Sequence, residues 1–141
     1  IVPIAGDVLD PPLAAGRMSL VSALNVLDNT SDPVLAVRQL HAALQPGGTL
    51  AMSSPFDWAE HTTPRDRRLG ETLRAAGSDA PEDALKALLS GAFETLAPEL
   101  KMHLLHTAEL SWVLPRHRRN AHVFASFYVE AQKPLTQATS A

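Results

Sequence analysis

Two polar residues stand near the ends of apolar runs, where buried strands would end. Asp7 follows the run Ile1–Ala5 and Gly6, and Asn25 lies near the end of the run Met18–Leu27. In an open α/β sheet, ligands bind beyond the carboxyl ends of the strands, so a carboxylate and a carboxamide there can bind a ligand. Each residue also has a purely structural interpretation, because Asp7 can cap a turn and Asn25 can satisfy a strand-to-helix turn.

A second group of candidates combines aromatic and cationic side chains. Aromatic rings can wall a pocket or contact a cation, and the forked guanidinium group of arginine matches a carboxylate. An anionic small molecule would therefore suit the side chains of Phe56, Trp58, Trp112, Arg116, His117 and Arg119. The alternative interpretation is that the tryptophans belong to the core and the arginines to a solvated surface.

The histidines do not predict a metal site. His103 and His106 are three residues apart and would face opposite sides of a strand. Zinc needs three or four ligands in fixed geometry, and the chain has no cysteine to supply them. We therefore predict no metal site, and we find no arrangement typical of a catalytic triad.

Composition restricts the class of protein. The chain has 141 residues, of which 45% are hydrophobic and 19% charged, with a formal net charge of −3. These values favour one soluble globular domain and do not favour a nucleic-acid partner attracted by overall charge. No apolar run reaches 18 residues and no basic segment leads into an apolar one, so we expect no membrane span and, by default, a cytoplasmic protein.

The elements that would position these residues alternate between strand and helix patterns. Asp32 and Pro33 are typical of a helix start, and apolar residues then recur at helical spacing as far as Leu44. Gln45-Pro46-Gly47-Gly48 ends that helix, and Thr49–Ser53 follows as a strand. With Met18–Leu27 as a strand buried on both faces, this order predicts a βαβ unit and a parallel sheet.

The second half of the chain has weaker patterns. We predict a long loop over Ser54–Gly77, a helix over Pro81–Leu89, a strand over Met102–Ala108, a basic connection over Trp112–Asn120 and a strand over His122–Ala131. The sequence begins in mid-pattern at Ile1, so we expect it to be the later part of a longer domain. That part would cover residues 1–133, and residues 134–141 would form a polar tail.

Several short blocks, taken in order, resemble one enzyme family. Gly6-Asp7, Leu20–Asp28, Asp32-Pro33 and Leu44–Leu50 are similar to the second half of class I S-adenosylmethionine-dependent methyltransferases of the methyltransferase type 11 group. Further blocks are similar to a bacterial subgroup that N-methylates mercaptohistidine, and these blocks are Ser54–Trp58, Thr63–Gly70 and Trp112–Arg119.

The resemblance implies a Rossmann-like α/β fold with a mostly parallel sheet, an antiparallel C-terminal strand pair and no N-terminal strands. It also implies S-adenosylmethionine as cofactor. The Asp7 carboxylate and the Val8 backbone N–H would bind adenine, and the Ala23 carbonyl and the Asn25 side chain would meet the methionine end. The six aromatic and cationic residues named above would bind the acceptor.

The resemblance leaves two functions open, and a third interpretation is a different α/β nucleotide-binding enzyme without affinity for S-adenosylhomocysteine. The first is in-line methyl transfer to a small metabolite, with an anionic acceptor as one option. The second is a degenerate, non-catalytic binding or oligomerisation module, because the glycine-rich cofactor loop and the acidic ribose-binding residue of the family would both lie upstream of Ile1. A small-molecule partner is expected in the first case, and a homo-oligomer is compatible with either.

Overall fold

A computed structural model describes residues 2–135 of the chain. Four strands and two helices make up the fold, with short 3₁₀ turns at Leu27–Asn29 and Arg65–Arg67. In chain order the elements are β1 (Met18–Leu24), α1 (Pro33–Ala43), β2 (Leu44–Ser54), α2 (Pro81–Leu89), β3 (His103–His117) and β4 (Asn120–Gln132).

The strands form one mixed sheet in the order β1-β2-β4-β3. β1 and β2 are parallel, with Val21 opposite Leu50 and Ala23 opposite Met52. β4 runs antiparallel to both of its neighbours, β2 and β3. The predicted α/β class, its parallel βαβ unit and its antiparallel C-terminal pair are therefore confirmed.

The βαβ unit forms through the signals that the sequence carries. The Asp32 carboxylate accepts a hydrogen bond from the Leu35 backbone N–H at 3.0 Å, and Pro33 occupies the first turn of α1. At the other end, Lys133 Nζ donates to the carbonyl oxygens of His41 (3.1 Å) and Leu44 (2.8 Å). A cation at this position satisfies carbonyl groups that the helix leaves unbonded.

β2 begins earlier than predicted. We expected Pro46-Gly47-Gly48 to be a turn before a strand starting at Thr49, but β2 starts at Leu44, directly after the helix. Gly47 has φ of 77°, and the space above Gly48 is closed, because an added Cβ would lie 2.8 Å from the Met18 carbonyl oxygen. The two glycines thus let the chain turn while it already lies against β1.

The first apolar run is not a strand. Residues 2–6 form no sheet pairing, and Val2 and Ile4 are 81% and 64% exposed. A strand is stable only when a neighbour takes its backbone hydrogen bonds, and no described element pairs with this segment or with the outer edge of β1. Ile1 lies outside the described residues.

β1 is covered on one face only, whereas we predicted burial on both. Val21 and Ala23 are buried, but Leu20 and Leu24 on the opposite face are 60% and 55% exposed. No element among residues 2–135 covers that face. β1 also ends at Leu24, before the predicted end, because Asn25 adopts a left-handed conformation with φ of 55°.

The predicted basic connection over 112–120 is wrong. Residues 103–117 form one strand, and a tight turn at Arg118-Arg119 leads directly into β4. Cross-strand partners such as Trp112 and Phe124 favour the extended form, and Pro115 lies at a register shift where its missing N–H is tolerated. Past the Ser54–Phe127 pair, β4 bonds only to β3, so the hairpin projects beyond β2.

The core lies between the sheet and the helices. α2 has the predicted bounds and buries Ala84, Leu85, Leu88 and Leu89 completely or nearly so. From the sheet, Leu50, Met52 and Val129 are each about 1% exposed. Burial of such side chains is the main stabilising contribution to a domain of this size.

Hydrogen bonds of buried polar groups hold the long loop after β2 in place. Thr63 is 0% exposed, and its hydroxyl donates to the Thr30 carbonyl oxygen at 2.6 Å. The Thr63 carbonyl oxygen in turn accepts from Arg68 Nε at 3.0 Å. Near the loop's start, the buried Asp28 carboxylate accepts from the Ser54 hydroxyl at 2.9 Å. These bonds hold the segment after β2 against the 3₁₀ turn at Leu27–Asn29.

Replacing Thr63 by valine tests this anchor. Valine has nearly the same shape but leaves the Thr30 carbonyl without its donor, so we expect Thr63→Val to lower the free energy of unfolding by about 2 kcal/mol. Urea denaturation measures the change. Thr62→Val, at the neighbouring half-buried position, is the matched control and should change the stability by less than about 0.5 kcal/mol. Equal effects of the two variants would contradict the anchor.

His41 makes the fold sensitive to acid. Burial, reinforced by the charge of Lys133, lowers the pKa of this histidine from 6.5 to about 4. The folded protein therefore keeps His41 neutral while the unfolded chain takes up a proton below pH 6.5. We expect stability to fall as the pH drops from about 6.5 to 4, by about 2 kcal/mol from this residue.

Denaturation at pH 7 and pH 4.5 measures that effect. The variant His41→Gln should show a smaller loss of stability between the two pH values than wild type. His103→Gln, at an exposed position of β3, is the matched control and should keep the wild-type pH dependence. A His41 variant with the full wild-type loss would show that another group causes the acid sensitivity.

Candidate functional site

A groove beside β1 brings together three of the four predicted cofactor residues. Asp7, Val8 and Ala23 line a cavity of about 300 Å³, together with apolar side chains that include Val26 and Leu40. The loop over residues 6–13 forms one wall, and β1 and α1 form the other. The groove thus has apolar walls and a carboxylate at its loop side.

Asp7 also has the structural role that the sequence left open. Its Oδ1 accepts a hydrogen bond from the Leu9 backbone N–H at 2.9 Å, and its carbonyl oxygen accepts from the Asp10 N–H at 3.1 Å. Oδ2 has no hydrogen-bond partner within residues 2–135. One carboxylate oxygen therefore shapes the turn while the other is left for a ligand, so the two interpretations are compatible.

Asn25, the fourth predicted residue, lies at the carboxyl end of β1 among hydroxyl groups. Its Oδ1 accepts from Ser53 Oγ and from Ser126 Oγ, both at 3.1 Å. Its backbone N–H donates to the Ser53 carbonyl oxygen at 2.8 Å. Trp112 Nε1 donates to Ser126 Oγ at 3.0 Å. We call Asn25, Ser53, Ser126 and Trp112 the amide cluster.

Each strand contributes to the amide cluster. Asn25 follows β1, Ser53 belongs to β2, Ser126 to β4 and Trp112 to β3. The serines are nearly inaccessible, with Ser53 4% and Ser126 1% exposed, whereas Asn25 and Trp112 are half-buried. Buried polar groups of this kind are held in one orientation by their hydrogen bonds. The cluster therefore fixes the Asn25 side chain at an end of the sheet that solvent reaches.

The predicted acceptor residues fall into three places. Phe56 and Trp58 form one aromatic pair just after β2, with ring centroids 5.9 Å apart. Phe56 has φ of 52°, and its N–H donates to the Ser54 hydroxyl at 3.0 Å, which holds this sharp turn. Both rings are half-buried and pack against the edge of the core, so each has a structural role as well as an accessible side.

Trp112 forms a second aromatic wall, on the projecting hairpin. Its ring stacks on Phe124 with centroids 4.5 Å apart and planes 15° from parallel. Because Leu110, Trp112 and Leu114 alternate along β3, they share the face on which Ser126 meets Asn25. Trp112, a predicted acceptor residue, is thus linked through Ser126 to Asn25, a predicted cofactor residue.

Arg116, His117 and Arg119 lie at the tip of the hairpin and are exposed. Arg119 N–H donates to His117 Nδ1 at 3.3 Å, which orders the turn. At about 3.3 Å per residue, Arg116 lies roughly 13 Å along the strand from Trp112. No hydrogen bond, ion pair or ring contact joins these three residues to Phe56 or Trp58 in the described part of the chain.

Sequence reasoning missed Ser53 and Ser126. Ser53 could have been found, since it ends a predicted strand at the ligand-binding edge of the sheet. Ser126 carries no such signal, because it lies in the middle of a predicted strand and becomes important only when β4 is placed beside β2.

Residues 2–135 contain neither a cluster suited to a metal ion nor a helix suited to a membrane. No group of three or more histidine, aspartate or glutamate side chains there has an arrangement suited to holding a metal ion. Within the same residues, no helix combines the length and the apolar character needed to cross a membrane.

Comparison with known proteins identifies the fold. No protein-family model matches the chain, and no curated protein matches it significantly. Among solved structures, an S-adenosylmethionine-dependent methyltransferase of Methanosarcina mazei matches 92% of this chain at 14% identity, with a TM-score of 0.58. The cyclase SpnF matches 94% of this chain at 16% identity, with a TM-score of 0.56. The carbon methyltransferase CurJ matches 91% of this chain at 16% identity, with a TM-score of 0.53.

The chain spans only part of each of these proteins. It covers 66% of the Methanosarcina protein, 56% of SpnF and 34% of CurJ. At these identities the likeness concerns the fold, and SpnF shows that one fold serves different reactions. The chain therefore has the Rossmann-like α/β fold of S-adenosylmethionine-dependent methyltransferases, over part of their length.

Proposed function

We propose that this chain is the C-terminal portion of an S-adenosylmethionine-dependent methyltransferase that acts on a small, anionic metabolite. The observation that carries the proposal is the groove beside β1, which gathers Asp7, Val8 and Ala23, with Asn25 at the carboxyl end of the same strand. This is the edge of an α/β sheet at which ligands bind.

The residues of the groove fit the adenosine part of the cofactor. The side chains of Val26 and Leu40 suit the faces of a flat aromatic ring, and Oδ2 of Asp7 can accept from an exocyclic amino group at its rim. At the carboxyl end of β1, the Ala23 carbonyl oxygen and the Asn25 amide are the groups suited to the methionine end. The two groups of residues therefore match the two ends of one elongated ligand.

The chain's own contribution to methyl transfer is position rather than acid–base chemistry. The bound cofactor supplies an electrophilic methyl group on a sulfonium, and in-line displacement then depends on proximity and alignment. Backbone hydrogen bonds at the ends of β1 and β2 hold Asn25 and Phe56, each in a left-handed conformation, on the side where an acceptor would approach. A general base is needed only when the acceptor arrives protonated.

We assign the acceptor side to the aromatic pair Phe56–Trp58 and to Trp112. Half-buried rings at a strand end can enclose a small molecule on its apolar sides. Arg116, His117 and Arg119 at the hairpin tip would attract an anionic acceptor, and the similarity to enzymes that N-methylate mercaptohistidine supports that choice. The second function, a non-catalytic binding or oligomerisation module, predicts no cofactor binding.

Cofactor titration separates the two functions. The natural full-length protein is titrated with S-adenosylhomocysteine by calorimetry, and transfer of label from S-adenosylmethionine to candidate small carboxylates is then followed. Stoichiometric binding supports the methyltransferase. A full-length protein that binds neither S-adenosylhomocysteine nor S-adenosylmethionine would sink this proposal in favour of the non-catalytic module.

Two substitutions of Asp7 distinguish its role in the turn from its role toward adenine. Asp7→Asn keeps an oxygen for the Leu9 N–H but removes one acceptor, whereas Asp7→Ala removes both. If Asp7 binds the cofactor, both variants should raise the dissociation constant for S-adenosylhomocysteine at least tenfold, or about 1.4 kcal/mol. The rate with saturating cofactor should change less, because Asp7 does not contact the reacting atoms.

Asp10→Ala is the control for the Asp7 variants, because Asp10 is an exposed carboxylate in the same loop. This variant should leave the dissociation constant for S-adenosylhomocysteine unchanged. Weaker binding by Asp7→Ala alone would indicate that only the turn matters. Unchanged binding by both Asp7 variants would remove this residue from the cofactor site.

A further inference from the structure

The amide cluster has a fixed direction of hydrogen bonding. Trp112 Nε1–H can only donate, so it occupies a lone pair of Ser126 Oγ. Ser126 is 1% exposed, and the recorded partner of its single O–H is Asn25 Oδ1 at 3.1 Å. The Ser53 hydroxyl donates to the same oxygen. Both lone pairs of the Asn25 carbonyl are therefore in use.

The orientation of the Asn25 amide follows from that direction. If the amide were turned over, Nδ2 would face Ser126, and the Ser126 hydrogen would lose its recorded acceptor at a site closed to water. Trp112 thus selects the orientation through Ser126, without a hydrogen bond of its own to Asn25. With Oδ1 committed, Nδ2 and its two hydrogens form the accessible edge of the side chain. Nδ2 has no hydrogen-bond partner among residues 2–135.

We propose that Asn25 Nδ2 donates to the carboxylate at the methionine end of the cofactor, and that Ser126 and Trp112 are positioning residues for this donor. The inference rests on the proposed function and deepens it. The methionine end offers two polar groups, a carboxylate that only accepts and an ammonium that only donates. A nitrogen that can only donate binds the carboxylate and not the ammonium.

The arrangement also joins the two halves of the site. The ring of Trp112 is an acceptor wall stacked on Phe124, while its Nε1–H determines the orientation of a cofactor-binding amide. A movement of the hairpin that separated Trp112 from Ser126 would leave the orientation of the Asn25 amide to the two serines alone. Cofactor affinity is therefore predicted to depend on a tryptophan that makes no contact with the cofactor's methionine end.

Two ligands and three variants test the proposal in the natural full-length protein. The ligands are S-adenosylhomocysteine and its decarboxylated analogue, which lacks only the carboxylate. Asn25→Asp replaces the donor by an acceptor and still tolerates the left-handed backbone at φ of 55°. Trp112→Phe keeps the stack on Phe124 without the N–H, and Ser126→Ala removes the hydroxyl between them.

We expect a selective loss of affinity, measured by calorimetry. Asn25→Asp should weaken binding of S-adenosylhomocysteine at least tenfold and binding of the decarboxylated analogue less than twofold. Trp112→Phe and Ser126→Ala should show the same selectivity with a three- to tenfold loss. Tyr128→Phe is the matched control, because its hydroxyl donates to Glu130 at 2.5 Å outside the cluster, and it should bind both ligands like wild type.

The outcomes that overturn the proposal are distinct from one another. Equal weakening of both ligands would show a structural role only, and unchanged affinity for S-adenosylhomocysteine in Asn25→Asp would show that Nδ2 is not a ligand group. Either result leaves the proposed function intact. A wild-type protein that binds neither ligand would overturn the proposed function and this inference with it. If a positioning variant fails to fold, Asn25→Asp still decides the assignment.

Discussion

The pairing of β4 with two neighbours is the constraint on which the rest of the structure depends. β4 bonds to β2 along Thr49–Ser54 and to β3 along its whole length, so it connects the parallel βαβ unit to the C-terminal hairpin. The same strand carries Ser126 to Asn25, 101 residues away in sequence, and supplies Lys133 just beyond its end to cap α1. β4 thus joins the two parts of the sheet, and the residues on and just after it hold the end of α1 and the Asn25 side chain in place.

Two residues with left-handed backbone conformations lie at the strand ends and shape the candidate site. Asn25 and Phe56 each turn the chain sharply at the edge of the sheet. The Asn25 N–H donates to the Ser53 carbonyl oxygen of β2, and the Phe56 N–H donates to the Ser54 hydroxyl. Asparagine tolerates this conformation, whereas phenylalanine holds it only when surrounding contacts require it. Here they place an amide just beyond the end of β1 and an aromatic ring just beyond the end of the parallel strand β2. This supports a ligand-binding role at that edge.

The fold and the function rest on different observations. Two solved methyltransferases and a cyclase share this architecture at 14–16% identity, so the sheet by itself does not determine the reaction. The groove that joins Asp7 to β1 and the amide at the strand's end support the proposed methyl transfer. The exposed face of β1, with Leu20 and Leu24, and its outer edge, which no element of residues 2–135 pairs with, agree with a chain that spans part of the length of its structural neighbours.

The sequence by itself determined the local elements. Asp32 and Pro33 start α1, glycines follow it and α2 has the predicted bounds, because caps, prolines and helical periodicity act within a few residues. It also identified Asp7, Val8, Ala23 and Asn25 as candidates, and the structure brings the first three into one groove.

Only the tertiary structure decided the hairpin, the exposed start of the chain and the amide cluster. Each depends on which strands become neighbours: residues 112–117 are extended because β4 lies beside them, residues 2–6 are not a strand because no described element pairs with them, and Ser126 matters because it meets Asn25. Strand pairing joins residues far apart in the chain, and its energy comes from partners that no short stretch of sequence contains.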